Sequence, residues 1–305
     1  MAVDSCRSTR CRVEVIVIDD GSTDGTWDWL QSQRLIVPIR QDNWGKDNAV
    51  NHGFARSTGE FVRFLDSDDW MLPDANDRQL EIGRQTAADI VVSGHKVHDD
   101  HTGREESLYW TESDDFLAQQ LGESGSGHYS SYLFRRSFIS NVPHRQEFGL
   151  ADDRMFVIEC AILHPKVAID PGLAIVHRLH DFPRLQVGRG LHNAVRQWHH
   201  LQVYRKAFSL LESHGQMTPR RKKAIAALMW YNAHRIAYAF PRDGADVVNW
   251  VYSLNPEFKV PNDGALGALY RTLGFANTER ILRMRRLARS LLGGAFFHRQ
   301  GSPNL

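Results

Sequence analysis

Val15-Ile16-Val17-Ile18-Asp19-Asp20-Gly21-Ser22-Thr23-Asp24-Gly25-Thr26 is the segment from which the architecture can be read. Its β-branched opening, which begins at Val13, is the pattern of a short parallel strand buried on both faces. The strand stops at two carboxylates, and Ser22 or Thr23 can cap a helix running through Trp27 to Gln33. Beyond that unit the same alternation continues. Strands are expected at 35–39, 61–65 and 89–93, with helices at 45–58 and 73–85 between and after them. Strands alternating with helices at these lengths predict an α/β fold with a mostly parallel sheet flanked by helices. From about residue 100 to 185 the pattern loosens, with a strand at 129–134 and a helix starting near Asp152. Beyond 185 the chain reads as helical almost throughout, at 191–212, 219–240 and 277–292.

A chain of 305 residues with 42% hydrophobic and 24% charged side chains has the profile of a globular protein with a full core. Its formal net charge of +1 gives no global signal for nucleic acid. Cys6, Cys11 and Cys160 make neither a disulfide framework nor a zinc ribbon, and they suit a reducing compartment. No apolar run reaches the roughly 18 residues of a membrane span, and no signal-peptide core follows Met1. The expected location is therefore cytoplasmic, with contact to the inner face of the membrane the alternative. That contact would run through 277–292, where Arg280, Arg283, Arg285, Arg286 and Arg289 interleave with Ile281, Leu282, Leu287, Leu291 and Leu292. Such a basic amphipathic helix suits anionic lipid. It equally suits a helix packed on the body with its arginines outward. No feature of the sequence fixes an oligomeric state.

Two acidic clusters, Asp19-Asp20 and Asp66-Ser67-Asp68-Asp69, close predicted strands. In open α/β sheets the ligand crevice lies outside the carboxyl ends of the strands. Carboxylates gathered there repel one another and any phosphate unless a divalent cation sits among them. Oxygen ligands of this kind suit Mg²⁺ or Mn²⁺, which stabilises charge on a departing diphosphate. The alternative is that these residues only form turns and caps.

The motif Val15 to Thr26 resembles a strand-and-loop element of family 2 glycosyltransferases. Asn43-Trp44-Gly45, continuing through Ala49, Asn51 and Gly53 to Gly59-Glu60-Phe61, resembles the helix that follows it. Phe64-Leu65-Asp66-Ser67-Asp68-Asp69 is similar to the family's D-x-D element. The resemblance implies a GT-A type, Rossmann-like fold with a helical C-terminal region. It implies transfer of a sugar from a nucleotide-sugar, a UDP-sugar foremost, to a glycan, polyol or lipid-linked hydroxyl, with inversion and with Mg²⁺ or Mn²⁺. On this pattern 1–110 is the nucleotide-sugar-binding part, 111–185 the acceptor-side part and 186–305 the helical region. Asp19 or Asp20 would hold the nucleoside, and Asp66 and Asp68 would hold the metal, with Asp68 in direct contact.

Leu150-Ala151-Asp152-Asp153-Arg154 stands where the family carries an acidic pair at a helix start. Its second carboxylate is the general base of inverting members, which maps to Asp153. A base must take the acceptor hydroxyl's proton as the oxygen attacks the anomeric carbon, and a helix N-terminus would keep it ionised. Ile175-Val176-His177-Arg178-Leu179-His180 resembles a Tyr/His-Arg element that the family places near the diphosphate or the metal, so Arg178 would meet phosphate and His177 or His180 would complete the metal shell. Envelope polysaccharide or teichoic-acid-like polymers are the family's habitual products.

Two departures stand out. The family's opening strand, of the type V-S-V-I-I-P-x-Y-N, has no counterpart ahead of Asp19, which would leave a strand edge unpaired and part of the base pocket missing. Val50 stands where many members have a basic residue before the Asn at position 51. These departures support a second reading, a catalytically impaired glycosyltransferase-like binding protein. A sugar nucleotidyltransferase would show a Gly-rich basic phosphate loop near its start, and none is present.

Overall fold

The computed structural model describes residues 1–6, 9–180, 191–261 and 264–297, and they fall into two compact units. The first comprises 1–186 with 202–217, the second 187–201 with 218–305.

In the first unit the chain runs α1 (Ala2–Ser5), β1 (Ile16–Asp20), α2 (Thr26–Ser32), β2 (Val37–Gln41), α3 (Lys46–Arg56), β3 (Phe61–Val62), β4 (Trp70–Met71) and α4 (Ala75–Gln85). It continues with β5 (Ile90–Asp99), β6 (Glu105–Leu108), α5 (Phe116–Gln120), β7 (Leu133–Arg135), α6 (Asp152–Ile162) and β8 (Val167–Leu179). Short 3-10 turns occupy Tyr129–Ser131 and Gln146–Ala151.

β1 and β2 form a parallel ladder from Ile16 opposite Val37 to Asp20 opposite Gln41. A second sheet has the order β3-β7-β5-β8-β4, with β6 also on β5. The long ladder there, β5 with β8, is parallel, whereas the short β3–β7, β5–β7, β4–β8 and β5–β6 pairings are antiparallel. This second sheet is therefore mixed, parallel along its longest ladder and antiparallel at the shorter ones. Two expectations change in detail. The strand read at 61–65 pairs only at Phe61 and Val62, and it runs antiparallel to β7. The strand read at 129–134 begins as a 3-10 turn and joins the sheet at Leu133. Both shortenings free aromatic side chains for packing. Phe64 leaves the ladder and lies 5.5 Å from the Tyr129 ring and 5.7 Å from Phe156, inside a cluster that includes Phe134.

Among the described residues β1 pairs with β2 alone and β3 with β7 alone. Ile16, Val17 and Ile18 are accordingly only half-buried, while Ile90, Val91 and Val92 of β5 are fully enclosed. Full burial of such side chains contributes about 1.5–3 kcal/mol each, so the stabilising core lies around β5, β7, β8 and α6.

The second unit contains the start of α7 (Leu191–Ser213), α8 (Pro219–Ala237), α9 (Pro241–Leu254) and α10 (Gly264–Phe297). Thr218 caps α8 by accepting the Arg221 amide, and Pro219 fills the first helical position, which needs no donor. Trp230 packs against Phe258, Tyr270 and Phe275. α10 breaks at Gly274, whose φ of 74° is open to glycine. The helical region read from 186 onward is thus mostly separate. Residues 202–217 instead belong with the first unit, where the Tyr204 hydroxyl donates to the Gln120 carbonyl and Gln216 Nε2 donates to the Ile162 carbonyl.

Candidate active site

The first acidic cluster is built into the backbone around it. Gly21 turns the chain at φ 82°, and a β-carbon there would come within 2.9 Å of the Asn43 amide nitrogen, so only glycine fits. This brings the 43–45 loop against Asp20. Asp20 Oδ1 accepts from the Trp44 amide at 2.9 Å and from Gln41 Nε2 at 2.8 Å, and Oδ2 accepts from the Gly45 amide at 2.9 Å. Asp19 is buried. Its Oδ1 accepts from the Ser22 amide at 3.1 Å, while Oδ2 faces Arg40 Nε at 3.4 Å without a hydrogen bond. Beside the clamped loop lies an open cleft of about 490 Å³ lined by Asn43, Trp44, Gly45, Asn48 and Gln146.

The second cluster occupies the link from β3 to β4, past an antiparallel pairing rather than at the end of a parallel strand. Asp66 Oδ1 meets Lys46 Nζ at 2.8 Å, and Asp68 Oδ2 meets His180 Nε2 at 3.2 Å. Asp66, Asp68 and Asp69 bring carboxylate oxygens within 4.8 Å of one another. Such an oxygen set fits Mg²⁺ or Mn²⁺.

Asp69 is the enclosed member, 1% exposed. It accepts from the Arg178 amide at 3.0 Å and from His177 Nδ1 at 3.1 Å, and His128 Nε2 lies 3.9 Å away. Burial alone would raise its pKa, but the hydrogen bonds from His177 and the Arg178 amide help hold it below the ordinary carboxylate range. Asp69, His128 and His177 also cluster closely enough to hold a metal, yet their hydrogen bonds assign them different roles. His128 Nδ1 accepts the Ser130 amide, which leaves the ring proton on Nε2. Burial and the neighbouring His177 push the His128 pKa down to about 3, so it stays neutral and has no lone pair to give. His177 donates through Nδ1 to Asp69 and keeps the lone pair of Nε2, the arrangement in which a carboxylate orients a metal-ligating imidazole.

Asp153 lies at the start of α6, as expected, beside Asp152. The helix terminus does not decide its ionisation. Burial raises its pKa, Lys46 opposes that rise, and Asp152 adds to it. A raised carboxylate pKa makes a stronger base toward a hydroxyl. Asp152 is buried and accepts from His144 Nδ1 at 2.7 Å, and His144 Nε2 bonds the Tyr129 hydroxyl at 2.7 Å. Asp152 also shares a hydrogen bond with Asp47. Desolvation and the neighbouring Asp152 push Asp47 up to about 7, while the His144 hydrogen bond outweighs burial and holds Asp152 low. Lys46 sits among these carboxylates. Burial would lower its pKa, but Asp66, Asp153 and Asp152 together keep it above the usual lysine range.

The structure therefore joins Asp66, Asp68 and His177 through Asp69, and joins Asp66 to the Asp152–Asp153 pair through Lys46. Arg178 is drawn elsewhere: its guanidinium grips Asp100, with Nη2 at 2.6 Å from Oδ2 and Nε at 2.8 Å. Lys46, Asp47 and His144 were not singled out from sequence, and Asp69 was read only as a member of the second acidic cluster. Lys46 had one available signal, a cation directly after Asn43-Trp44-Gly45. Nothing in the spacing ties position 46 to positions 66 and 153.

The model of a family described as Glycosyl transferase family 2 matches residues 2–141. EpsH of Bacillus subtilis (strain 168), named as a glycosyltransferase, is 30% identical over 164 residues, which cover 51% of this chain and 45% of EpsH. The chain thus spans less than half the length of that relative. Two solved structures share the fold. TarS 1-349 of S. aureus in complex with UDP-GlcNAc gives a TM-score of 0.52 at 12% identity, covering 93% of this chain and 87% of that one. The mannosyltransferase PcManGT of Pyrobaculum calidifontis, in complex with GDP-Man and Mn²⁺, gives 0.53 at 15% identity, covering 92% and 81%. The motif at Val15 to Thr26 and the D-x-D loop lie within the matched residues, so over 2–141 the chain is similar to Glycosyl transferase family 2, and its fold is shared with the GT-A glycosyltransferases above.

Proposed function

We propose that this chain transfers a sugar from a nucleotide-sugar to an acceptor hydroxyl, with inversion and with a divalent cation. The observation that carries the reading is the convergence on Lys46 of two groups far apart in sequence, the D-x-D carboxylate Asp66 and the acidic pair Asp152–Asp153. Donor and acceptor chemistry need these two groups side by side.

Asp68 and Asp66 hold the cation, with His177 offering Nε2. When bound, Mg²⁺ or Mn²⁺ neutralises the charge that grows on the diphosphate leaving group. Asp19 holds the nucleoside, since it keeps a carboxylate oxygen without a hydrogen bond while Asp20 is consumed by the 43–45 loop. Asp153 takes the proton of the acceptor hydroxyl. The freed oxygen then attacks the anomeric carbon, and the bond to the nucleoside diphosphate breaks on the opposite side. Arg178 reaches phosphate by exchanging Asp100 for it. The donor is a UDP-sugar, in keeping with the nucleotide held by the TarS fold relative. The acceptor is a glycan, polyol or lipid-linked hydroxyl of an envelope polymer, a reading that rests on the family resemblance.

Hydrolysis and transfer assays over a panel of UDP-, GDP- and dTDP-sugars with Mn²⁺ test the activity. Asp153→Asn is expected to lower turnover about 10²–10⁴-fold while nucleotide binding stays within a factor of two or so of the parent. Near-normal turnover in that variant would remove Asp153 from the role of base.

The alternative is a glycosyltransferase-like binding protein with impaired catalysis. Mn²⁺-dependent UDP binding without turnover of any donor would select it.

A further inference from the structure

We infer that the outer face of α10 between Arg280 and Ala288 docks on an anionic lipid surface. The inference concerns the helical unit and does not depend on the proposed chemistry. Sequence alone left two readings, lipid contact or packing on the body with the arginines outward. The helix packs within its unit with Arg280, Arg283 and Arg285 outward, and an apolar stripe stays outside with them. Phe275, Thr278 and Glu279 point inward, at 8%, 0% and 2% exposure. Glu279 Oε1 is bound by the Tyr270 hydroxyl at 2.5 Å and by His234 Nδ1 at 2.6 Å, and Arg286 lies over the Tyr238 ring at 4.7 Å. These contacts fix the rotation of the helix about its axis.

With that rotation, Ile281, Met284 and Leu287 face outward at 44%, 70% and 55% exposure. Their spacing of three residues makes one stripe along the helix. Arg280, Arg283 and Arg285 are exposed around the same stripe. The side chains of Arg289, Leu291 and Leu292 lie outside the described residues. From 264 to 305 the sequence holds Arg271, Arg280, Arg283, Arg285, Arg286, Arg289 and Arg299, no lysine, and a single acid, the buried Glu279. The outer face of α10 is therefore cationic and apolar at once.

An apolar stripe flanked by arginines matches the boundary between headgroups and acyl chains. The stripe enters the apolar layer there, and the guanidinium groups reach phosphates from their aliphatic stems. A nucleic acid backbone would satisfy the arginines but leave the stripe in water. A second copy of this face would cover the stripe but bring like charges together. Among the described residues no helix is long and apolar enough to cross a membrane, so contact of this kind lies on the surface.

The test is co-sedimentation of the full chain with vesicles of phosphatidylcholine, with and without about 30% phosphatidylglycerol. Binding is expected to the anionic vesicles, to weaken by at least about tenfold on neutral ones, and to weaken further at raised salt. Met284→Asp should lose binding at least about tenfold, and Arg283→Gln with Arg285→Gln about fivefold for each charge removed. Circular dichroism and the melting temperature should stay those of the parent, because all three side chains are exposed. Equal partition onto neutral and anionic vesicles would overturn the proposal. So would unchanged binding by Met284→Asp, a duplex oligonucleotide that displaces the vesicles from the same arginines, or a concentration-dependent dimer abolished by Met284→Asp.

Discussion

Asp20 spends its carboxylate on the chain itself, accepting from two backbone amides and a glutamine. Asp66 and Asp68 spend theirs on Lys46 and His180, side chains whose place a metal ion can take. Both clusters are acidic, follow strands and look equally fit for a ligand. The partners of each oxygen separate them. A carboxylate that satisfies backbone donors holds a loop in place, and removing it exposes the desolvation cost of those amides. A carboxylate whose partners are side chains can exchange them for a metal ion without leaving backbone amides unsatisfied.

The largest difference is expected at Asp68. Asp68→Ala should weaken Mn²⁺-dependent UDP binding by at least about tenfold, measured by calorimetry, and leave the melting temperature near that of the parent. Asp20→Ala should do the reverse. It is expected to cost about 2–3 kcal/mol in denaturant unfolding through its charge-assisted hydrogen bonds, while Mn²⁺ affinity is kept in the folded fraction. If the two variants gave the same pattern, the contrast between the clusters would fail.

A finer probe lies between the clusters, at Asp47. Its pKa of about 7 stands above the value near 4 of an unfolded Asp. The native state therefore binds more protons than the unfolded state between those values, and stability falls as pH rises through that window. Asp47→Asn keeps a donor toward Asp152 without needing the proton. Its stability should be flatter between about pH 4 and 7 than that of the parent. An equally sloped profile would place the shared proton elsewhere.

Much of the fold was legible because its signals are local. The β-branched run before Asp19 gave β1, and the strand–helix alternation gave the sheet class. The acidic pair at the start of α6 was read at the right place. Burial was not legible in the same way. Val15–Ile18 and Ile90–Val92 read as equally buried strands, yet only the second set is enclosed, because enclosure depends on what pairs with each edge. The sign at Asp153 was missed for a related reason. A helix terminus is visible in sequence, while the desolvation that outweighs it comes from residues far along the chain.

Sequence by itself gave the resemblance to glycosyl transferase family 2 and pointed to the D-x-D carboxylates and a candidate base, since motif identity and order are one-dimensional properties. It also supplied the arginine-rich amphipathic helix. Tertiary structure alone decided that Asp20 clamps a loop, that Asp69 hydrogen-bonds His177, that Lys46 lies in the field of both Asp66 and the Asp152–Asp153 pair, and that the Ile281–Leu287 stripe faces outward. Each of these depends on which distant residue lies opposite a given oxygen, nitrogen or methyl group. Hydrogen-bond direction and desolvation act through space over a few ångströms, and sequence separation carries no record of them.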